Sequence, residues 1–273
     1  MTDLGCSFPR APPAENIAPP AEPCRSRTEG GEVDARNDAH VRPRGEDAAG
    51  RAVATLAPLP RRLIDALVSP GRLTEQLATD PRWLGALLVS AALVALQMGL
   101  IPAEVFAESQ RQAALDAGRE LPELSAAVLR AIRIATPVVT ALSTIVFCFL
   151  FAGVYALVFS FILGDDGGYR QYLAMVTHAW FIPALVGLFL TPLRISTGDP
   201  QLSLNLASFM LFLPDGYLLQ VLRFMDLTQI WSSLVVAQGA HAIDRSRSFA
   251  SAAVILLAIL LAVALVLARL VPG

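Results

Sequence analysis

Residues 83 to 101 read WLGALLVSAALVALQMGLI, a run without a single charge. A helix needs about 20 such residues to cross the hydrocarbon core of a bilayer. That core offers no water to backbone N–H and C=O groups, so a chain rich in such runs must satisfy them internally, as helices. Comparable runs recur at 137–163, 172–193, 227–243 and 249–268. The composition agrees, with 55% hydrophobic and only 16% charged residues, well outside the range of soluble domains. The expected fold is all-α: a polytopic integral membrane protein with five transmembrane helices and its termini on opposite sides.

The runs differ in detail. At 1.5 Å per residue the second is roughly 40 Å long, more than a hydrocarbon core of about 30 Å, so it must tilt or protrude. It is expected to begin near Pro137. The third should bend at Pro183, and the fourth is short. Residues 203–222 carry an apolar stretch broken at Pro214-Asp215-Gly216. Neither half can span, so an interfacial or re-entrant element is expected there.

Before the first run the chain divides in two. Residues 1–55 are rich in Pro, Ala, Arg, Asp and Glu and show no apolar periodicity; they read as a disordered polar tail. Residues 56–82 read as an amphipathic collar lying in the membrane interface. Leu63, Ile64, Leu67 and Val68 share one helical face, with Arg61, Arg62 and Asp65 largely opposite. Ser69 is expected to cap a second helix with Pro70 at its first position. Leu73 and Leu77 continue the apolar stripe. Thr79 or Asp80, followed by Pro81, should open the first span in the same way. The third part, 83–270, is the helical membrane domain.

Residues 164–168, GDDGG, raise the question of a phosphate or metal loop. No strand precedes them, and neither a P-loop lysine nor a GxGxxG spacing is present. A tight, water-facing turn between two membrane helices needs positive-φ positions and charge, and this stretch supplies both. His178 has no second metal-ligating side chain on its face, so a hydrogen bond to a neighbouring helix or to interfacial water is expected.

Other chemistry is equally unsupported. Within those limits the five runs contain no Asp, Glu or Arg, whereas proton-coupled transporters keep a titrating group at membrane depth. HExxH and GxSxG are absent, and Ser143 and Ser160 have no evident base. Cys6, Cys24 and Cys148 fit neither a metal nor a disulfide framework. The net charge is −2 with no basic face, which argues against nucleic acid. All 21 basic residues are arginine, a sign of a GC-rich bacterial coding sequence. No catalytic, cofactor-binding or metal residue is named, and the chain is expected not to be an enzyme.

Three stretches, taken in order, resemble the Yip-type family of membrane proteins, the Ypt/Rab-GTPase-interacting proteins and their bacterial relatives. LVSPGRLTEQLATDPRW carries the proline-spaced entry at Pro70 and Pro81. LGDDGGYRQYLAMVTHAWFIP carries Gly164, Gly167, Gly168, Arg170 and Pro183. DLTQIWSSLVVAQG carries Asp226, Ile230, Trp231 and Gly239. The resemblance runs from about Leu63 to the C-terminus. It implies a cytoplasmic N-terminal tail, five helices and a short C-terminus on the far side. Eukaryotic members are linked to Rab GTPases, vesicle traffic and membrane shaping. Their tail motif Asp-Leu-Tyr-Gly-Pro is absent here, so Rab binding is not carried over.

The functional expectation is a bacterial inner-membrane protein that organises membrane or protein partners. Its partners would be the lipid bilayer and other proteins or a second copy, met through the helical body. A transporter or permease-like component is the alternative, and an intramembrane hydrolase a distant third. Arginine counts are equal on the two sides of the five-span arrangement. Clustering of Arg61, Arg62, Arg72 and Arg82 before the first span places that end in the cytoplasm.

Overall fold

A computed structural model describes residues 57–270 apart from 117, 121 and 211. The tail expected over 1–55 lies outside the described residues. The described residues form nine α-helices in order: α1 (Leu59–Val68), α2 (Pro70–Thr79), α3 (Leu84–Leu100), α4 (Ala103–Asp116), α5 (Ala126–Ala156), α6 (Tyr169–Thr197), α7 (Tyr217–Phe224), α8 (Leu227–Ile243) and α9 (Phe249–Leu270). A π-helical turn, Leu157–Ile162, extends α5, and a short 3₁₀ turn covers Leu206–Phe209. Among the described residues there is no strand, only an isolated antiparallel bridge between Asn205 and Asp226.

Among the described residues, three helices are long and apolar enough to cross a membrane: Ala126–Ile162, Tyr169–Thr197 and Phe249–Leu270. The bent pair α3 and α4 makes a fourth if counted as one span. Both α3 and α8 are 17 residues long, about 26 Å at 1.5 Å per residue.

Several boundaries depart from those expected. The helix of the second run starts at Ala126, not near Pro137, because the Ser125 hydroxyl caps it by accepting from Val128 N at 3.4 Å. Pro137 therefore sits inside α5, packed against Gly99 of α3. With its π turn the helix has 37 residues, about 55 Å. That is longer than a hydrocarbon core of about 30 Å, and its first turns carry exposed Arg130 and Arg133. At the end of α3, Ile101 is extended (φ −77°, ψ 125°). Pro102 disfavours helical backbone at the residue before it, and α4 leaves at 78° to α3. The third run's helix continues past Leu193 to Thr197, where Gly198 (φ 72°) ends it in the left-handed conformation. The helix thereby takes in Arg194, just beyond the charge-free run of 172–193.

The core forms around α6. This helix packs against α1, α2, α3, α5 and α8, and 61% of its most apolar stretch is buried, against 17% for α5 and 22% for α9. Tyr172, Leu173, Met175, Val176, Ala179 and Ile182 of α6 meet Cys148 and Ala152 of α5, Val235 and Val236 of α8, and Leu73 and Leu77 of α2. Small residues allow close approach. A Cβ on Gly239 of α8 would lie 2.7 Å from Met175 Cγ and 2.8 Å from its Sδ. Because Met175 is itself buried, Gly239→Ala is expected to overpack this contact and destabilise the protein by about 1–3 kcal/mol. Adding Met175→Ala should restore part of that loss in thermal melts. Additive losses would show that the crowding lies elsewhere.

Residues 203–222, expected to be interfacial or re-entrant, form the 3₁₀ turn and part of α7. Val221 of α7 packs on Ala264 and Ala268 of α9, and Tyr217 Oη donates to Leu265 O at 2.8 Å. Phe209, Phe212 and Leu218 stay exposed.

Candidate functional site

The collar, expected to lie in the membrane interface, is two helices whose Leu63, Leu73 and Leu77 pack on the bundle. Leu63 packs on Ala86 and Phe181, while Leu73 and Leu77 are fully buried in the main core. Ile64 and Val68, which periodicity puts on the apolar face with Leu63 and Leu67, are 57% and 70% exposed. Arg62 and Asp65, placed outside, are buried instead. Pairing explains this. Arg72 Nη2 reaches Asp65 Oδ1 at 2.7 Å, so the buried carboxylate is ion-paired, and Arg62 Nη1 donates to the backbone Arg82 O at 3.3 Å. Burial lowers the Arg62 guanidinium from its ordinary pKa, and the neighbouring Arg82 charge adds to that. Arg62 Nε and Asp65 Oδ2 have no protein partner.

Capping also differs from expectation. Ser69 separates α1 from α2, and Pro70 does open α2, but the Ser69 side chain makes no cap bond. Pro81 is not helical. The Asp80 carboxylate instead accepts from Arg82 Nε at 3.0 Å, and α3 starts only at Leu84.

The glycine-rich turn after the π-helical segment is stitched to the turn between α8 and α9. Arg247 Nη2 and Nε donate to Asp165 Oδ1 and Oδ2 at 2.6 and 2.8 Å, a two-pronged pair. The side chains are 16% and 4% exposed. Asp166 N donates to Asp244 Oδ2 at 3.2 Å. Arg245 Nη2 reaches Glu75 Oε1 of α2 at 2.9 Å, and Gln171 Nε2 donates to Ala78 O at 2.6 Å. The collar and both turns therefore form one polar plate at one end of the bundle. The bond to Asp165 raises the Arg247 pKa. Hydrogen bonds from the Ser246 side chain and backbone hold the Asp244 carboxyl below its ordinary value. A depressed carboxylate stabilises above its unfolded pKa and loses that contribution as pH falls through the folded value. The Asp244 contacts should thus weaken only below about pH 4.

The eleven residues singled out in the sequence do not converge. Pro70, Pro81, Gly164, Gly167, Gly168 and Arg170 lie at the plate end. Only Gly164 has a positive φ, 74°. Gly167 is needed for space, since a Cβ there would lie 2.6 Å from the Tyr172 ring. Gly168 meets neither condition; its N–H donates to Gln171 Oε1 at 2.8 Å. Arg170 is exposed. Ser160 Oγ donates to Gly167 O at 2.6 Å, fastening the turn rather than acting as a nucleophile. Toward the opposite end, Pro183 lies within α6, and Asp226 caps α8 by accepting from Thr228 N at 2.7 Å. Ile230 is half-buried and Trp231 exposed. Gly239 packs on Met175, as described.

Sequence reasoning did not single out Arg194, which lies one residue beyond the third run. It is buried, and its Nε donates to Leu202 O at 2.9 Å and its Nη1 to Gln97 Oε1 at 3.2 Å. A Cβ on Gly187 would collide with the Gln97 side chain. His178 is fully buried. Its Nδ1 lies 2.8 Å from Ala174 O, its own helix rather than a neighbour, and Nε2 has no protein partner. Among the described residues no three His, Cys, Asp or Glu side chains are grouped to hold a metal ion.

Neither the comparison with curated proteins nor that with solved structures gives a match. The family model for the Yip1 domain matches residues 64–270. That stretch contains every helix from α2 to α9 and the second half of α1. It also includes all eleven positions on which the resemblance rested. The chain belongs to the Yip1-domain family of membrane proteins.

Proposed function

We propose that this chain is a five-span protein of a bacterial inner membrane that organises lipid or protein partners without catalysing a reaction. In this reading α3, α5, α6, α8 and α9 are the spans. The 17-residue helices α3 and α8 cross with their ends in the headgroup region, consistent with an all-helical body of alternating direction. The observation that carries the reading is the polar plate. Glu75–Arg245 ties α2 of the collar to the turn before α9, and Asp165–Arg247 ties that turn to the one before α6. The plate presents a rigid outer surface, with exposed Ile64, Val68, Arg61 and Arg170, that a membrane surface or partner protein can meet. Arginine clustering before α3 supports a cytoplasmic location for this end.

Two measurements test it. A cytoplasmic reporter fused after Gly273 should be inactive and an export-dependent one active; the reverse result contradicts the orientation. Purified protein in liposomes should retain specific lipids or proteins in pull-downs, and Ile64→Glu with Val68→Glu should weaken that retention. Unchanged retention would remove the plate from the binding surface.

A transporter-like component is the second reading, favoured by the buried His178 and Arg194 within α6. Both are held by fixed protein contacts, which suits a structural role. His178→Gln is therefore expected to preserve function, and the liposomes to move no protons. Proton-driven uptake abolished by this substitution would reverse the order of the two readings.

A further inference from the structure

The end of the bundle opposite the plate contains a cleft of about 130 Å³ between α6, α8 and the segment that joins α6 to α7. Two charged side chains line it, Arg194 and Asp226. Each has one polar atom left over. Arg194 uses Nε and Nη1 on Leu202 O and Gln97 Oε1, and its Nη2 has no hydrogen-bond partner among the described residues. Asp226 uses Oδ1 on Thr228 N and Oγ1, and its Oδ2 has none among them. The two do not pair with each other. A guanidinium and a carboxylate that face one cleft without touching leave room for a ligand with the opposite charges, an anion toward Arg194 and an ammonium toward Asp226.

The apolar lining indicates what else that ligand carries. Pro183, Val186 and Leu190 precede Arg194 at spacings of three and four residues, on one face of α6. They form a strip leading from the charged pair toward the middle of the helix. A polar head between Arg194 and Asp226 with an apolar body along this strip is the shape of an amphiphile. We propose that this cleft binds a phosphate ester bearing a primary amine, the headgroup chemistry of phosphatidylethanolamine. Phosphate accepts from Arg194, as guanidinium groups favour, and the –NH₃⁺ donates to Asp226. A quaternary amine has no N–H to give, and a phosphoglycerol headgroup has no cation to place.

The test uses full-length protein, delipidated in mild detergent. It is titrated with phosphatidylethanolamine, phosphatidylcholine or phosphatidylglycerol of identical acyl chains, read by native mass spectrometry and melting temperature. The ethanolamine lipid should bind about tenfold more tightly than the other two, the scale expected when a desolvated polar partner is left unpaired. Asp226→Asn keeps a side-chain oxygen to cap α8, so it should fold, yet reduce that ratio to near one. Arg194→Gln should weaken all three lipids, but the Asp226 variant is the deciding one, because Arg194 also holds its loop. Soluble phosphoethanolamine forms a second arm. A shift with the lipid alone assigns a membrane headgroup; an equal shift with the soluble compound assigns a free ligand of the same chemistry. Equal binding of the three lipids with no shift from phosphoethanolamine overturns the proposal. So does an ethanolamine preference that survives Asp226→Asn.

Discussion

Arg247→Ala is expected to destabilise the folded bundle by about 3 kcal/mol. Its guanidinium makes both bonds to the Asp165 carboxylate, and Asp165 is almost wholly buried beneath the turn. Removing one member of a buried pair leaves the other charge without compensation, at a cost of about 3–5 kcal/mol. The lower end applies because Arg247 keeps some access to water. Arg247→Lys should recover less than half of the loss, since an ammonium cannot reproduce the planar two-pronged geometry. Asp165→Asn should be less harmful in the Arg247→Ala background than alone, because the orphaned charge is then gone. Unfolding of the purified protein in bicelles, run as a double-mutant cycle, measures this coupling. A coupling under about 0.5 kcal/mol would class the pair with exposed surface bridges.

The second large effect separates the two faces of the collar. Leu73→Glu should prevent the protein from accumulating, or destabilise it by more than about 4 kcal/mol. Leu73 is fully buried in the main core, with α2 packed on α6 and α8. Truncating such a side chain to alanine costs about 2–5 kcal/mol, and an unpaired carboxylate there costs more. Ile64→Glu, on exposed α1 surface, should change stability by less than about 0.5 kcal/mol. Spin labels at 64 and 68 should report lipid or water access, and labels at 73 and 77 neither. Equal tolerance of glutamate at 64 and 73 would mean that the collar is not docked on the bundle.

The long apolar runs were legible because the bilayer imposes one requirement on every such segment. The runs at 137–163, 172–193 and 249–268 fall on the three helices long enough to cross. Helix ends were less legible, because a helix does not stop where hydrophobicity does. It stops at a backbone feature such as Gly198 or Pro102, and Arg194 was lost to that difference. The collar's orientation was hidden for another reason. Ile64 and Leu63 are equivalent on a hydropathy scale, and only the partners of Arg62 and Asp65, 20 and 7 residues away, decide which face turns inward. Glycine roles split the same way. Gly164 follows from turn chemistry, whereas Gly167 and Gly239 answer to Tyr172 and Met175, which composition does not reveal.

The central place of α6 has a consequence for how the protein is made. Because neighbours surround it, α6 can carry Thr177, His178, Thr191 and Arg194 facing protein rather than acyl chains. That shelter is incomplete when α6 leaves the ribosome. The helix that covers one of its sides, α8, ends roughly 50 residues later, a delay of a few seconds at about 5–20 residues per second. During that interval Ser232 of α8 is not yet present to bond Ala179 O of α6, and the polar flank of α6 faces lipid or the insertion machinery. Chains truncated before α8 should therefore stay attached to that machinery longer than chains ending after Ile243.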